Sequence, residues 1–153
     1  MKTTAKLSGL AAAAALSIGL IAVPSQAATA ASTYPLQFGK IDYDSPGSDT
    51  GSNTSLNAEY VTIKNTSSTT RSLTGYTVRD KANHVYKFGS FSLGAGKSVR
   101  IHTGTGTNTS TDRYWGRGWY VWNNTGDKAY LRNPDFVLRD SCEWGDSTGY
   151  KWC

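Results

Sequence analysis

From residue 36 onward the chain alternates short apolar runs with clusters of Gly, Ser, Asn and Asp, spaced by roughly a dozen residues. The run 58–64 (AEYVTIK) alternates strictly, with Tyr60 and Thr62 on one face and Glu59, Val61 and Ile63 on the other. That period of two is the mark of a strand with one buried face. Residues 36–43 (LQFGKIDY) turn Leu36, Phe38, Ile41 and Tyr43 toward a core, with Gly39 as a bulge. Residues 73–79 (LTGYTVR) follow a Ser/Thr-rich turn, and 84–88 (HVYKF) follow a hairpin link at 80–83. Runs at 98–102, 119–122, 128–132 and 136–139 bring the expected strands to about eight. After the N-terminal segment no stretch holds a 3.6-residue apolar period over three turns, so the fold class is all-β, a sandwich or barrel.

The N-terminus follows another pattern. Lys2 and Lys6 precede an uncharged apolar run of 17 residues at 7–23, closed by Pro24, with small residues at 25–27 and again at 28–30. This predicts an export signal over 1–27, cleaved after Ala27 or Ala30, then a flexible leader over 28–36. No lipidation Cys or apolar C-terminal tail is visible, so a secreted, extracellular protein without a covalent membrane anchor is expected. Of the 16 Lys and Arg, removal of Lys2 and Lys6 leaves 14 against 11 acidic residues, a mild +3 that makes no nucleic-acid footprint by itself. Cys142 and Cys153, an even pair in an exported chain, are expected to form a disulfide contributing about 2–3 kcal/mol.

Residue types narrow the chemistry. Glu59 lies among strand positions that should be apolar, so an inward carboxylate needs loop N–H groups or an Arg as partner, and reads as a structural anchor. Gly94-Ala95-Gly96-Lys97-Ser98 looks superficially like a phosphate loop, but position 91 is Phe and the following residues are strand-like, so a β-turn is expected. His84 and His102 are the only histidines, both in β patterns, and no nucleophile elbow exists; no catalytic residues are expected. Asp42, Asp44, Asp49 and Asn53 space oxygens as a calcium loop does. Pro46 and the missing closing acid make turn formation the main reading, with calcium the lesser one and no other cofactor expected.

Residues 103–120 (TGTGTNTSTDRYWGRGWY) read as a long loop whose second half interleaves aromatics with Arg. Arg113, Tyr114, Arg117, Trp119 and Tyr120 form a candidate ligand-binding set, since rings stack on bases or sugars while cations meet phosphate. Trp115 and Trp122 are expected in the core, whereas Arg113, Arg117 and Trp119 are expected to point outward.

Asn57-Ala58-Glu59-Tyr60-Val61 with Ile63 and Asn65, then Leu73-Thr74-Gly75-Tyr76-Thr77 with Asp80, Tyr86 with Phe88, Phe91 with Leu93, Gly96, and Val99 with Ile101 occur in an order that resembles the lamin tail domain in its bacterial secreted form. Tyr114-Trp115-Gly116 and Val121-Trp122-Asn123-Asn124-Thr125-Gly126-Asp127, with Ala129 and Leu131, match its second half; the resemblance spans about 37–140. Tyr76, where Trp is usual, and Asn133-Pro134-Asp135, where a Gly-containing turn is commoner, depart from it. The resemblance implies an immunoglobulin-like β-sandwich over 37–153 without catalytic residues, with Asn123 and Asp127 structural. The expected function is that of a secreted binding module for an unidentified extracellular protein, nucleic acid or glycan. The alternative is a structural or interaction protein of the cell envelope.

Overall fold

The computed structural model describes residues 33–146 and 149–153; the expected export segment and its cleavage points lie outside them. In chain order the elements are β1 (Leu36–Asp42), α1 (Asn53–Ala58), β2 (Tyr60–Asn65), β3 (Arg71–Ser72), β4 (Thr77–Arg79), β5 (Val85–Lys87), β6 (Ser92–Leu93), β7 (Ser98–His102), β8 (Asp112–Tyr114), β9 (Gly126–Arg132), β10 (Leu138–Gly145) and β11 (Tyr150–Trp152). A five-stranded sheet in the order β11-β1-β2-β7-β8 faces a four-stranded sheet in the order β10-β9-β4-β5, with β3 and β6 as a small separate ladder. The architecture is all-β and immunoglobulin-like. All pairings are antiparallel except β7 with β8.

Alternation drives the layering. Val61 and Ile63 of β2, Val99 and Ile101 of β7, Val78 of β4 and Ala129 and Leu131 of β9 all point into one core, each fully buried. The β1–β2 register slips between Phe38 and Ile41, the bulge expected at Gly39, which keeps Leu36, Phe38, Ile41 and Tyr43 all inward. Residues 94–98 form the expected turn: the Lys97 N–H donates to the Gly94 carbonyl at 3.1 Å and Gly96 takes φ 68°. The link at 80–83 joins β4 to β5 as anticipated.

Five expectations need correction. The strand expected at 73–79 begins only at Thr77, because Leu73 to Tyr76 form a turn closed by a 2.9 Å hydrogen bond with Gly75 at φ 78°. Residues 119–122 are not a strand, since the Glu59 carboxylate rather than a neighbouring strand takes the Val121 N–H. The strand expected at 136–139 starts only at Leu138, the first residue of β10, while 136 and 137 belong to the hairpin connection. Within the expected loop 103–120, Asp112–Tyr114 pair with β7. Asn53–Ala58 form a helix capped by the Ser52 hydroxyl, too short to show periodicity and burying only Leu56. Of the expected leader over 28–36, residues 28–32 lie outside the described residues; further on, the Tyr34 hydroxyl meets that of Tyr76 at 2.6 Å and the Pro35 carbonyl accepts from Thr66 N–H at 2.7 Å.

Cys142 of β10 and Cys153, just past β11, are disulfide-bonded with Cα atoms 5.9 Å apart. The bond ties the edge strand of one sheet to the edge strand of the other. Replacing both cysteines by Ser should therefore lower unfolding stability by about 2–3 kcal/mol, measured by urea denaturation under non-reducing conditions; an unchanged midpoint would show that the closed loop contributes nothing.

Candidate functional site

Residues 115–121 leave the edge strand β8 and cross the end of the sandwich. Their entry is fixed by the backbone: the N–H groups of Trp115, Gly116 and Arg117 donate to the carbonyls of His102, Gly104 and Thr103 at 2.8, 2.8 and 2.9 Å. Their exit is fixed by Glu59, wholly buried after α1, which accepts from the Thr103 hydroxyl at 2.5 Å and the Val121 N–H at 2.9 Å. The second Glu59 oxygen has no hydrogen-bond partner among the described residues. Burial pushes the Glu59 carboxyl up to about 7, and the Thr103 and Val121 hydrogen bonds only partly offset that rise.

The rings sort by depth. Trp122 is buried, with the partly buried Trp115 packed edge-on at 5.9 Å, which makes both anchors. Tyr120 is held by the Ser55 hydroxyl at 2.5 Å. The Tyr114 ring stacks on His102 at 5.1 Å, and the Arg113 guanidinium lies 4.0 Å from the Phe91 ring centre. Arg117 is exposed and Trp119 is 61% exposed, its ring resting against Gly51 so closely that any side chain there would collide with it. The five candidate binding residues thus do not share one open face; Arg117 and Trp119 form its outward part.

His102 is not the sheet-surface residue expected. Its Nδ1 meets the Asn57 carbonyl at 2.7 Å and its Nε2 meets Asp112 at 2.9 Å, while Tyr114 and Tyr60 lie against the ring. Both ring nitrogens are thus engaged within the fold. Asp112 also receives Arg100 at 2.8 Å. Partial burial raises its carboxyl, but the hydrogen bonds from Thr111 and His102 and the Arg100 charge outweigh that and hold it below the usual range. The cluster braces β8 against β7.

The Asp-rich segment is not drawn into one cage. Asp42 and Asp44 line a cleft of about 540 Å³ with Tyr60 and Tyr150, a juxtaposition that residue order did not reveal. Asp42 holds Lys40 at 2.9 Å and Asp44 accepts from Asn124 at 2.9 Å. Asp49 and Asn53 do not line that cleft, and the Asn53 side-chain oxygen accepts from Thr105 N–H at 2.8 Å. Among the described residues no group of three or more His, Cys, Asp or Glu side chains is placed to hold a metal.

Asn123 and Asp127 build the turn before β9. Asn123 accepts from the Thr125 N–H at 3.1 Å, and Asp127 accepts from the N–H groups of Lys128, Lys81 and Asn123 at 2.7, 3.1 and 3.2 Å. One carboxylate therefore joins this turn to the β4–β5 hairpin. Two facing sheets, polar side chains pinning the turns and an anchored loop at one end define an immunoglobulin-like β-sandwich that presents loops. The family model of the lamin tail domain matches residues 29–146, and the chain belongs to that family of non-catalytic immunoglobulin-like domains. No curated protein matches the chain.

The Glu59 geometry has a pH signature. Because the folded state favours the neutral carboxyl, its contribution is fully present below about pH 4.5 and is lost as pH rises through about 7. Between pH 5 and 8 the native protein should lose roughly 2–3 kcal/mol from this group. Glu59→Gln should flatten that part of the stability profile in denaturant titrations; a slope identical to the native one would place the titration elsewhere.

Proposed function

We propose that the protein is a secreted, non-catalytic binding module whose contact face is the loop carrying Arg117 and Trp119, with Arg113, Tyr114 and Tyr120 at its base. The observation that carries this reading is that a cation and a large exposed ring stand on a segment fastened at both ends, through the His102, Thr103 and Gly104 carbonyls and through Glu59. Such preorganisation limits the ordering cost of binding. Export is supported by the Lys2, Lys6 and apolar pattern of the first 27 residues and by the disulfide, which suits an oxidising compartment. The ligand is an extracellular nucleic acid, protein or glycan, and an Arg beside an indole suits a partner offering planar rings and negative charge.

Arg117→Ala and Trp119→Ala should each leave the melting midpoint nearly unchanged and lower retention on single-stranded DNA or on insoluble wall material, the Trp variant by about tenfold. Loss of retention with added salt on DNA selects nucleic acid, and salt-insensitive retention on wall material selects glycan. Retention equal to the native protein in both variants would remove the loop assignment. Calcium has a narrower claim, because only two of its four candidate ligands share a cleft and one of those already holds Lys40. EDTA is expected to leave the thermal midpoint unmoved, and a clear drop restored by calcium would reverse that view.

A further inference from the structure

We propose that the tip of the β9–β10 hairpin, backed by the cationic outer face of its sheet, docks onto an anionic phospholipid bilayer. Three consecutive apolar side chains stand in solvent there: Phe136 is 74% exposed, Val137 48% and Leu138 45%. Phe136 occupies the left-handed region at φ 62°, where a bulky side chain is disfavoured and Gly, Asn or Asp is the ordinary choice.

The turn is built to hold this conformation. The buried Asn133 accepts from the Phe136 N–H through its carbonyl at 2.9 Å and from the Val137 N–H through its side chain at 2.8 Å. The Arg132 guanidinium donates to the Phe136 carbonyl at 2.8 Å. The apolar tip is thus fixed outward, ready to be buried without reordering the backbone.

The sheet behind the tip supplies charge. In β9, Asp127, Ala129 and Leu131 face the core, so Lys128, Tyr130 and Arg132 face out. The cross-strand row nearest the tip reads Leu138, Arg132, Thr77 and Lys87, and the next outward row places Arg79 beside Tyr130. Of the acids nearby, Glu143 is held by Lys81 and Lys128 at 3.0 and 3.3 Å, and Asp135 of the turn faces the Asn133 amide at 3.3 Å.

An apolar tip with cations set behind it matches a bilayer interface, where hydrocarbon gives way to phosphate headgroups. A soluble polyanion would meet the cations and leave the tip in water. Three side chains and a few charges make the attachment reversible and salt-sensitive. This surface is separate from the Arg117–Trp119 loop and does not rest on that loop's assignment.

The test is co-sedimentation of the exported protein with vesicles of mixed phosphatidylglycerol and phosphatidylcholine, against vesicles of phosphatidylcholine alone. Binding is expected only with the anionic vesicles and should weaken as salt is added. Phe136→Gly should lower the partition coefficient by about tenfold while raising the thermal midpoint, because Gly accepts the left-handed turn. Lys87→Gln, remote from the turn's hydrogen bonds, should lower the partition a few-fold and leave the midpoint unchanged. Absence of binding to anionic vesicles, equal binding to neutral ones, or native-level binding by Phe136→Gly would overturn the proposal.

Discussion

A continuous run of aromatic contact passes through the sandwich: Trp115 meets Trp122 at 5.9 Å, Trp122 meets Trp144 at 5.7 Å, and Trp144 stacks on Tyr43 at 5.0 Å. These rings come from the segment 115–122, the strand β10 and the exit from β1, so their packing joins three stretches distant in the chain. Large rings carry more buried apolar area than any aliphatic residue, and in a domain this small they dominate the gain on folding. The placement of Trp115 and Trp122 has a second effect. Both ends of the intervening loop are seated, and Trp119 between them is left outside.

Polar side chains do the complementary work at the turns. Asp127 gathers backbone N–H groups from two turns (Lys81, Asn123) and from Lys128 of β9, and Asn65 donates to the carbonyls of Thr69, Leu93 and Gly94 at 2.8, 3.0 and 3.0 Å. Each satisfies groups that an irregular, water-excluded turn would otherwise leave unpaired. Glu59 belongs to the same class, and its complete burial raises its carboxyl despite the hydrogen bonds it accepts. The wide loops of this fold are held by carboxylates and amides more than by strand pairing.

Two outward surfaces result. One is a loop whose Arg and Trp stand on a fastened base; the other is a sheet face and hairpin tip where cations and apolar side chains adjoin. They differ in how they are made. The loop surface follows from contiguous residues, whereas the sheet surface assembles side chains from β4, β5, β9 and β10.

The strict alternation of 58–64 was enough to place Val61, Ile63 and Glu59 inward, and residues 98–102 could be read as a strand to the residue, because a period of two needs no partner to be visible. The Cys142–Cys153 pairing was equally legible, since two cysteines have one connectivity. The aromatic run at 119–122 misled, because a ring-rich stretch looks like a strand whether its N–H groups find a neighbouring strand or a buried carboxylate. The six-residue helix and the three-residue β8 carry too few positions for any period. Residue order by itself determined which face of a regularly alternating strand is buried, since that period depends on each residue's own polarity; the burial of His102 and the exposure of Phe136, Val137 and Leu138 were not determined by it. Which exposed residues become neighbours was decided only by tertiary structure, because sheet order joins strands that the chain keeps far apart, and a residue's own polarity does not say which strand lies beside it.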